Sequence, residues 1–155
     1  MNTSQAEWDQ RFLQMAQLVS KWSHDPSSQI GAVFVDDRRR VLSSGYNGLP
    51  RGIENTEERW NNRTTKYKYI VHAEANAIYN ATWNGVSLDG STLYVYGLPV
   101  CSQCARASIQ VGAKRIVVAD VGVVAQRWYD EWAHSCEMFS ECGLDVQEVA
   151  LGDAK

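Results

Sequence analysis

Two short motifs, His72-Ala73-Glu74 and Cys101-Ser102-Gln103-Cys104, limit the fold more than any other feature, because their donor atoms are useful only if the chain brings both to one point. They place one imidazole, two thiols and a carboxylate in a chain with only three histidines and four cysteines. Cysteines at i and i+3 on a helix face the same side, one turn apart, and can chelate together. If that helix begins near Cys101, the free N–H groups and positive dipole end of its first turn favour the thiolate form. Three protein ligands, His72, Cys101 and Cys104, leave the fourth tetrahedral position of a zinc ion open for water, whose pKa falls from about 15.7 toward about 7. Glu74 follows His72 by two residues, so it can stay off the metal and serve as a proton shuttle beside that water. A closed structural site would have no use for Glu74. The alternatives are four cysteines, Cys101, Cys104, Cys136 and Cys142, around one ion, or three cysteines with His72.

The rest of the composition narrows the setting. A chain of 155 residues and 17.4 kDa fits one domain, read as spanning residues 1–155. A formal net charge of -3 gives no overall attraction to polyanions, so nucleic acid is a disfavoured partner and small ligands are preferred. No run of residues approaches the length of a membrane span and the first residues lack the pattern of a signal peptide, so a cytoplasmic protein without a membrane partner is expected. In a reducing compartment the four cysteines read as ligands and buried thiols rather than as disulfides.

Read in order, the chain alternates strands and helices. Ser4 and Glu7 form a capping box, and Trp8, Phe12, Met15, Val19 and Trp22 recur at helical spacing, which predicts a helix over residues 5–22 with both tryptophans in the core. Residues 30–35 and 41–46 flank a charged turn of solvated arginines and predict an antiparallel hairpin. Residues 47–69 carry no clean periodicity and read as a functional loop. Helices are expected over 73–84, 102–111 and 126–142, each ending at a glycine, and strands over 92–96, 115–119 and 144–149. Repeated strand–helix–strand units imply parallel strands with right-handed crossovers, hence an α/β fold of three layers with a mixed five-stranded sheet flanked by helices. Both motifs then open helices at the carboxyl edge of that sheet.

With these motifs and the stretch Gly45-Tyr46-Asn47-Gly48 in hand, the chain resembles the deoxycytidylate (dCMP) deaminase family, within the cytidine deaminase superfamily, over about residues 5–150. One departure is Val100, which makes the second motif P-x-C-x-x-C. The resemblance implies a cytidine-deaminase-like fold, Zn2+ as cofactor on His72, Cys101 and Cys104, Glu74 as the catalytic acid and base, and hydrolysis of dCMP to dUMP and ammonia. It also implies that Asn47 reaches the nucleotide's sugar and phosphate, that the Ala73 N–H holds the pyrimidine O2, and that the carbonyl near Val100 accepts from the leaving amine. A homohexamer follows from the same likeness, with dCTP as activator and dTTP as inhibitor near the loop of Tyr46 and Gly48.

A monophosphate requires cations. Arg51, Arg59, Arg63, Lys66 and Lys68 outnumber the acidic residues between them, and this segment is the expected source of phosphate contacts, Arg51 first, with Arg127 and Arg106 behind it. The apolar surplus of the last helix, Trp128, Trp132, Met138 and Phe139, suggests a subunit interface. His134, Cys136 and Cys142 fit no common zinc spacing and are read as buried structural residues. Deaminases of free nucleosides, of another cytosine nucleotide such as dCTP, or of tRNA and single-stranded nucleic acid share the chemistry. A noncatalytic zinc module that mediates assembly is the alternative from another class.

Overall fold

The computed structural model describes residues 2–152; residue 1 and residues 153–155, the ends of the expected single-domain span, lie outside the described residues. Eleven elements follow one another: α1 (Gln5–Ser20), β1 (Gly31–Val35), β2 (Val41–Tyr46), α2 (Glu57–Asn61), α3 (Arg63–Tyr69), α4 (Ala73–Trp83), β3 (Thr92–Tyr96), α5 (Ser102–Gln110), β4 (Arg115–Asp120), α6 (Gln126–Glu141) and β5 (Asp145–Ala150). The sheet order is β2-β1-β3-β4-β5. β1 is antiparallel to both β2 and β3, whereas β3, β4 and β5 run parallel. The sheet is therefore mixed, and β2 and β3 point the same way across β1.

Strand alternation sorts the core into two layers. Val33, Val35, Tyr94, Val117 and Ala119 pack with Phe12, Leu13 and Ala16 of α1 on one face. Ala32, Phe34, Leu93, Val95, Ile116 and Val118 pack against α4, α5 and α6 on the other. Complete burial of a side chain such as Phe34 or Leu93 contributes about 1.5–3 kcal/mol. The three-layer α/β expectation holds.

Several local expectations need correction. The capping box forms, with the Glu7 N–H donating to Ser4 Oγ and the Ser4 N–H to Glu7 Oε2, but α1 ends at Ser20. Its buried stripe is Phe12, Leu13, Ala16 and Val19, while Met15 and Trp22 are exposed. Trp22 lies in the turn after the helix and meets Tyr46 edge-on at 6.1 Å. Residues 47–69 are not loop throughout. Thr56 and Asn62 cap α2 and α3 by accepting from the N–H groups of Arg59 and Thr65. At five and seven residues these helices are too short to show a period. Trp132 and Phe139 are core residues, so less of α6 is left over for an interface than its sequence suggests. His134 and Cys142 are exposed rather than buried.

One glycine fixes where α4 lies. A side chain on Gly45, in β2, would meet the Ala77 nitrogen at 2.4 Å and the Ala73 oxygen at 2.6 Å. The backbones of strand and helix are in direct contact there, which only glycine permits. Gly45 thus acts as a strand residue that seats the helix behind His72.

A buried ion pair ties α1 to β4 from the other face. Arg115 donates from Nη1 and Nη2 to the two oxygens of Asp9 at 2.7 and 2.8 Å, and the Tyr94 hydroxyl donates to Asp9 Oδ1 at 2.7 Å. Burial alone would raise the Asp9 carboxyl, but bonds from Arg115, Tyr94 and Gln5 outweigh it and hold it below the usual range. A depressed folded pKa adds stability above the ordinary value near 3.8 and loses it as the pH falls through the folded one. Arg115→Ala should therefore cost about 3 kcal/mol at pH 7, because it removes the cation from a buried carboxylate that then keeps only the neutral donors Tyr94 and Gln5. Urea titrations check this, and the gap from the parent chain should narrow as the pH falls below the ordinary value near 3.8 and through the lowered folded pKa of Asp9.

Candidate active site

The two motifs meet at the carboxyl edge of the sheet. His72 is the N-cap of α4 and Cys101 the N-cap of α5, both extended, and neither uses its side chain to cap its helix. Both side chains are thereby free to turn toward each other. His72 Nδ1 lies 3.4 Å from Cys101 Sγ and 3.4 Å from Cys104 Sγ, and the three donor atoms all fall within 4.8 Å of one another. A tetrahedral zinc with Zn–S near 2.3 Å and Zn–N near 2.0–2.1 Å separates its nitrogen and sulfur ligands by roughly 3.5 Å. The donor set fits zinc. Among the described residues this is the one such cluster, and it includes neither Cys136 nor Cys142, so the all-cysteine alternative does not form.

The donors also hold one another's protons. The Cys104 thiol hydrogen-bonds to Cys101 and, with His72, keeps the Cys101 thiol well below its usual range, while the same shared proton and burial move Cys104 up. His72 is raised chiefly by its contact with the Cys101 sulfur. Glu74 is buried, and the loss of water pushes its carboxyl up, against the opposing pull of His72. A carboxyl poised nearer neutrality can both accept and return a proton.

A cavity of about 380 Å3 opens in front of these groups. His72, Glu74 and Cys101 form its floor, and Asn47, Trp60, Arg63, Lys66, Tyr67, Arg127 and Trp128 are among its walls. Asn47, expected at the nucleotide, does line the cavity, but its Nδ2 donates to Ser28 O at 2.8 Å and Asp25 Oδ2 at 3.2 Å, and its Oδ1 accepts from the Ile30 N–H. Its amide braces the wall. Ala73 is buried as the first residue of α4. The Val100 carbonyl accepts from Ser135 Oγ at 2.7 Å. Arg127 lines the rim, its guanidinium 4.9 Å from the centre of the Trp128 ring.

Arg51 is not brought to this cavity. It is exposed, lies in the turn at residues 51–52 before α2, and donates to Asn80 Oδ1 on α4 at 2.6 Å. Tyr46 is partly exposed at the end of β2, and Gly48 forms an isolated bridge with Val71; neither lines the cavity.

Sequence reasoning missed Asp25. This buried carboxylate accepts from the Ser27 and Ser28 N–H groups and pairs with Lys66 Nζ at 2.7 Å, pinning α3 over the cavity. An Asp followed by Pro and two serines is a turn signature that marks such an acceptor. Trp60, Tyr67 and Trp128 as cavity walls had no signal in the sequence, for each depends on how two elements pack.

Comparison with known proteins agrees with this geometry. Residues 6–120 match the family described as the cytidine and deoxycytidylate deaminase zinc-binding region. An uncharacterized deaminase from the luxG 3′ region of Aliivibrio fischeri is 37% identical over 94% of this chain and 96% of its own length. Human deoxycytidylate deaminase is 38% identical over 72% of the chain, which spans 64% of that protein's length. The dCMP deaminase of cyanophage S-TIM5, solved in complex with dCMP and dUMP, superposes with a TM-score of 0.75 over 95% of this chain and all of its own, at 23% identity, which speaks to the fold. A donor triad built for zinc, a buried carboxyl beside it and a family match across most of the chain lead to one conclusion: this protein belongs to the cytidine and deoxycytidylate deaminase family.

Proposed function

We propose that the protein, acting as one deaminase domain over residues 1–155, hydrolyses dCMP to dUMP and ammonia. The observation that carries this reading is Glu74, a buried carboxyl at the floor of a nucleotide-sized cavity, two residues from one metal donor and facing the other two. Zinc, held by His72, Cys101 and Cys104, supplies Lewis acidity and makes water a nucleophile near neutral pH. Glu74 removes a proton from the attacking water and delivers it to N3 of the cytosine. A second proton passes through Glu74 to the amine, the C4–N bond breaks, and the water oxygen remains on C4 as the uracil carbonyl. The Ala73 N–H at the start of α4 is the donor proposed for the pyrimidine O2. Trp60 and Trp128 give the cavity apolar, aromatic walls, which suit a planar base.

The monophosphate reading is supported by the deoxycytidylate deaminases among the relatives and by three cations on the cavity wall, Arg63, Lys66 and Arg127. Asp25 occupies Lys66, so Arg127 and Arg63 are left to meet a phosphate. Asn47 holds the loop of Asp25 and Ser28 in place beneath the sugar. Arg51 would join them only by leaving Asn80.

Replacing Arg127 with alanine should raise KM for dCMP about tenfold or more while leaving KM for deoxycytidine nearly unchanged. A bidentate charge-assisted contact carries that difference. Ammonia release from dCMP, dCTP, CMP, deoxycytidine and a short single-stranded DNA, with and without dTTP, tests substrate and regulation together. Preference for deoxycytidine or for DNA would overturn the monophosphate reading.

The same reading takes the protein as a cytoplasmic homo-oligomer, a hexamer with dCTP and dTTP as effectors, without nucleic acid as a partner. Exposed Leu18, Trp22, Val41, Tyr79 and Trp83 give it apolar surface to cover, and Tyr46, the last residue of the edge strand, meets Trp22, with Gly48 two residues further on. No helix among the described residues is long and apolar enough to cross a membrane.

A further inference from the structure

Helix α6 grips the chain on both sides of Cys101. The N-cap sulfur of α5 faces His72, which would leave the Ser102 N–H at the start of α5 without an acceptor. Glu131, from α6, takes that place. Its Oε2 accepts from the Ser102 N–H at 2.9 Å and from the Ser102 hydroxyl at 2.7 Å. One turn further along α6, the buried Ser135 hydroxyl lies 2.7 Å from the Val100 carbonyl and 3.0 Å from that of Glu131. The residues before and after the metal donor are thus both fixed by one helix, and Trp132 and Phe139 anchor that helix in the core. One turn before Glu131, Arg127 and Trp128 of the same helix form the cavity rim.

We infer that Glu131 is a positioning residue for the metal centre: it holds the Cys101 turn in the register at which both sulfurs converge with His72. Ser135 supports it, and α6 thereby sets the distance between the zinc ligands and the wall that carries Arg127. The inference rests on the metal-site reading above. Second partners that orient metal ligands are worth 10–100-fold in affinity when removed.

The role belongs to an acceptor oxygen at the right place, not to the charge. Glu131→Ala should therefore weaken zinc binding by about 10–100-fold. Glu131→Gln, whose amide oxygen can take over the position of Oε2, should bind zinc within about threefold of the parent, an expectation that follows from keeping the same hydrogen bonds. Competition with a chromophoric chelator gives the affinities. The visible bands of the cobalt-substituted protein report the ligand geometry and should shift in the alanine variant alone. Ser135→Ala, which removes only one hydroxyl, should give a smaller loss in the same direction and serves if Glu131→Ala does not fold. Parent-like affinity and cobalt bands in both alanine variants would overturn the inference. So would equal losses for Glu131→Ala and Glu131→Gln, which would point to charge. A parent protein that binds no zinc would instead overturn the metal-site reading itself.

Discussion

Glu74→Gln is expected to lower kcat for dCMP by about 10²–10⁴, the usual worth of a positioned general acid and base, with KM close to that of the parent. The two side chains have nearly the same shape, so the cavity and the three metal donors stay in place. What is lost is a group that can take a proton from water and give it to the ring nitrogen. Burial already raises the Glu74 carboxyl, so its ionised form opposes folding as the pH rises above the ordinary value near 4.5. The glutamine variant should for that reason be as stable at pH 7 as the parent chain, or more so. Steady-state kinetics together with zinc content and thermal denaturation decide the matter. A variant that keeps its zinc and turns over at the parent rate would remove Glu74 from the mechanism. A protein that served assembly alone would lose nothing by this change.

Removal of zinc by a chelator should abolish deamination and lower Tm, and zinc should restore both. Three donors brought together by two helices bind zinc more tightly in the folded state than the unfolded chain, which keeps only the local Cys101 and Cys104 pair, can do. At free zinc about 1,000 times Kd this linkage is worth at most about 4.1 kcal/mol, or roughly 8–16 °C for a chain of this size. Cys104→Ala should show the same loss and should not recover when zinc is added, because it leaves only His72 and Cys101 as donors and no described thiol outside this cluster stands near enough to replace it. Cys142→Ala is the matched control and should behave as the parent, since Cys142 is exposed at the end of α6. Differential scanning calorimetry with and without chelator checks both variants. An alanine at position 104 that still binds zinc with parent affinity would remove it from the ligand set.

The order of the elements and the identity of the chemical groups were legible along the chain because both depend on local chemistry. Ser4 and Glu7 mark a helix start, the glycines after the later helices mark their ends, and short apolar runs bounded by turns mark strands. The pairing of H-x-E with C-x-x-C carried the metal and the shuttle, since few other tasks need those residue types together. α2 and α3 escaped because a helix of one or two turns has no period to detect. Arg51 was singled out for its charge in a locally basic segment, yet its guanidinium is held by Asn80, a residue far away in sequence.

What the sequence determined by itself was therefore a set of donors, their spacing and the helices they open. The tertiary structure alone decided which of them meet and what surrounds them. It placed Asp25 against Lys66, turned Asn47 into a brace, put Arg127 rather than Arg51 at the cavity and closed Glu131 over the Cys101 turn. The physical reason is range: capping, periodicity and turn chemistry act over a few neighbouring residues, whereas a cavity wall, a shared proton or a hydrogen bond between two helices exists only after distant segments have packed.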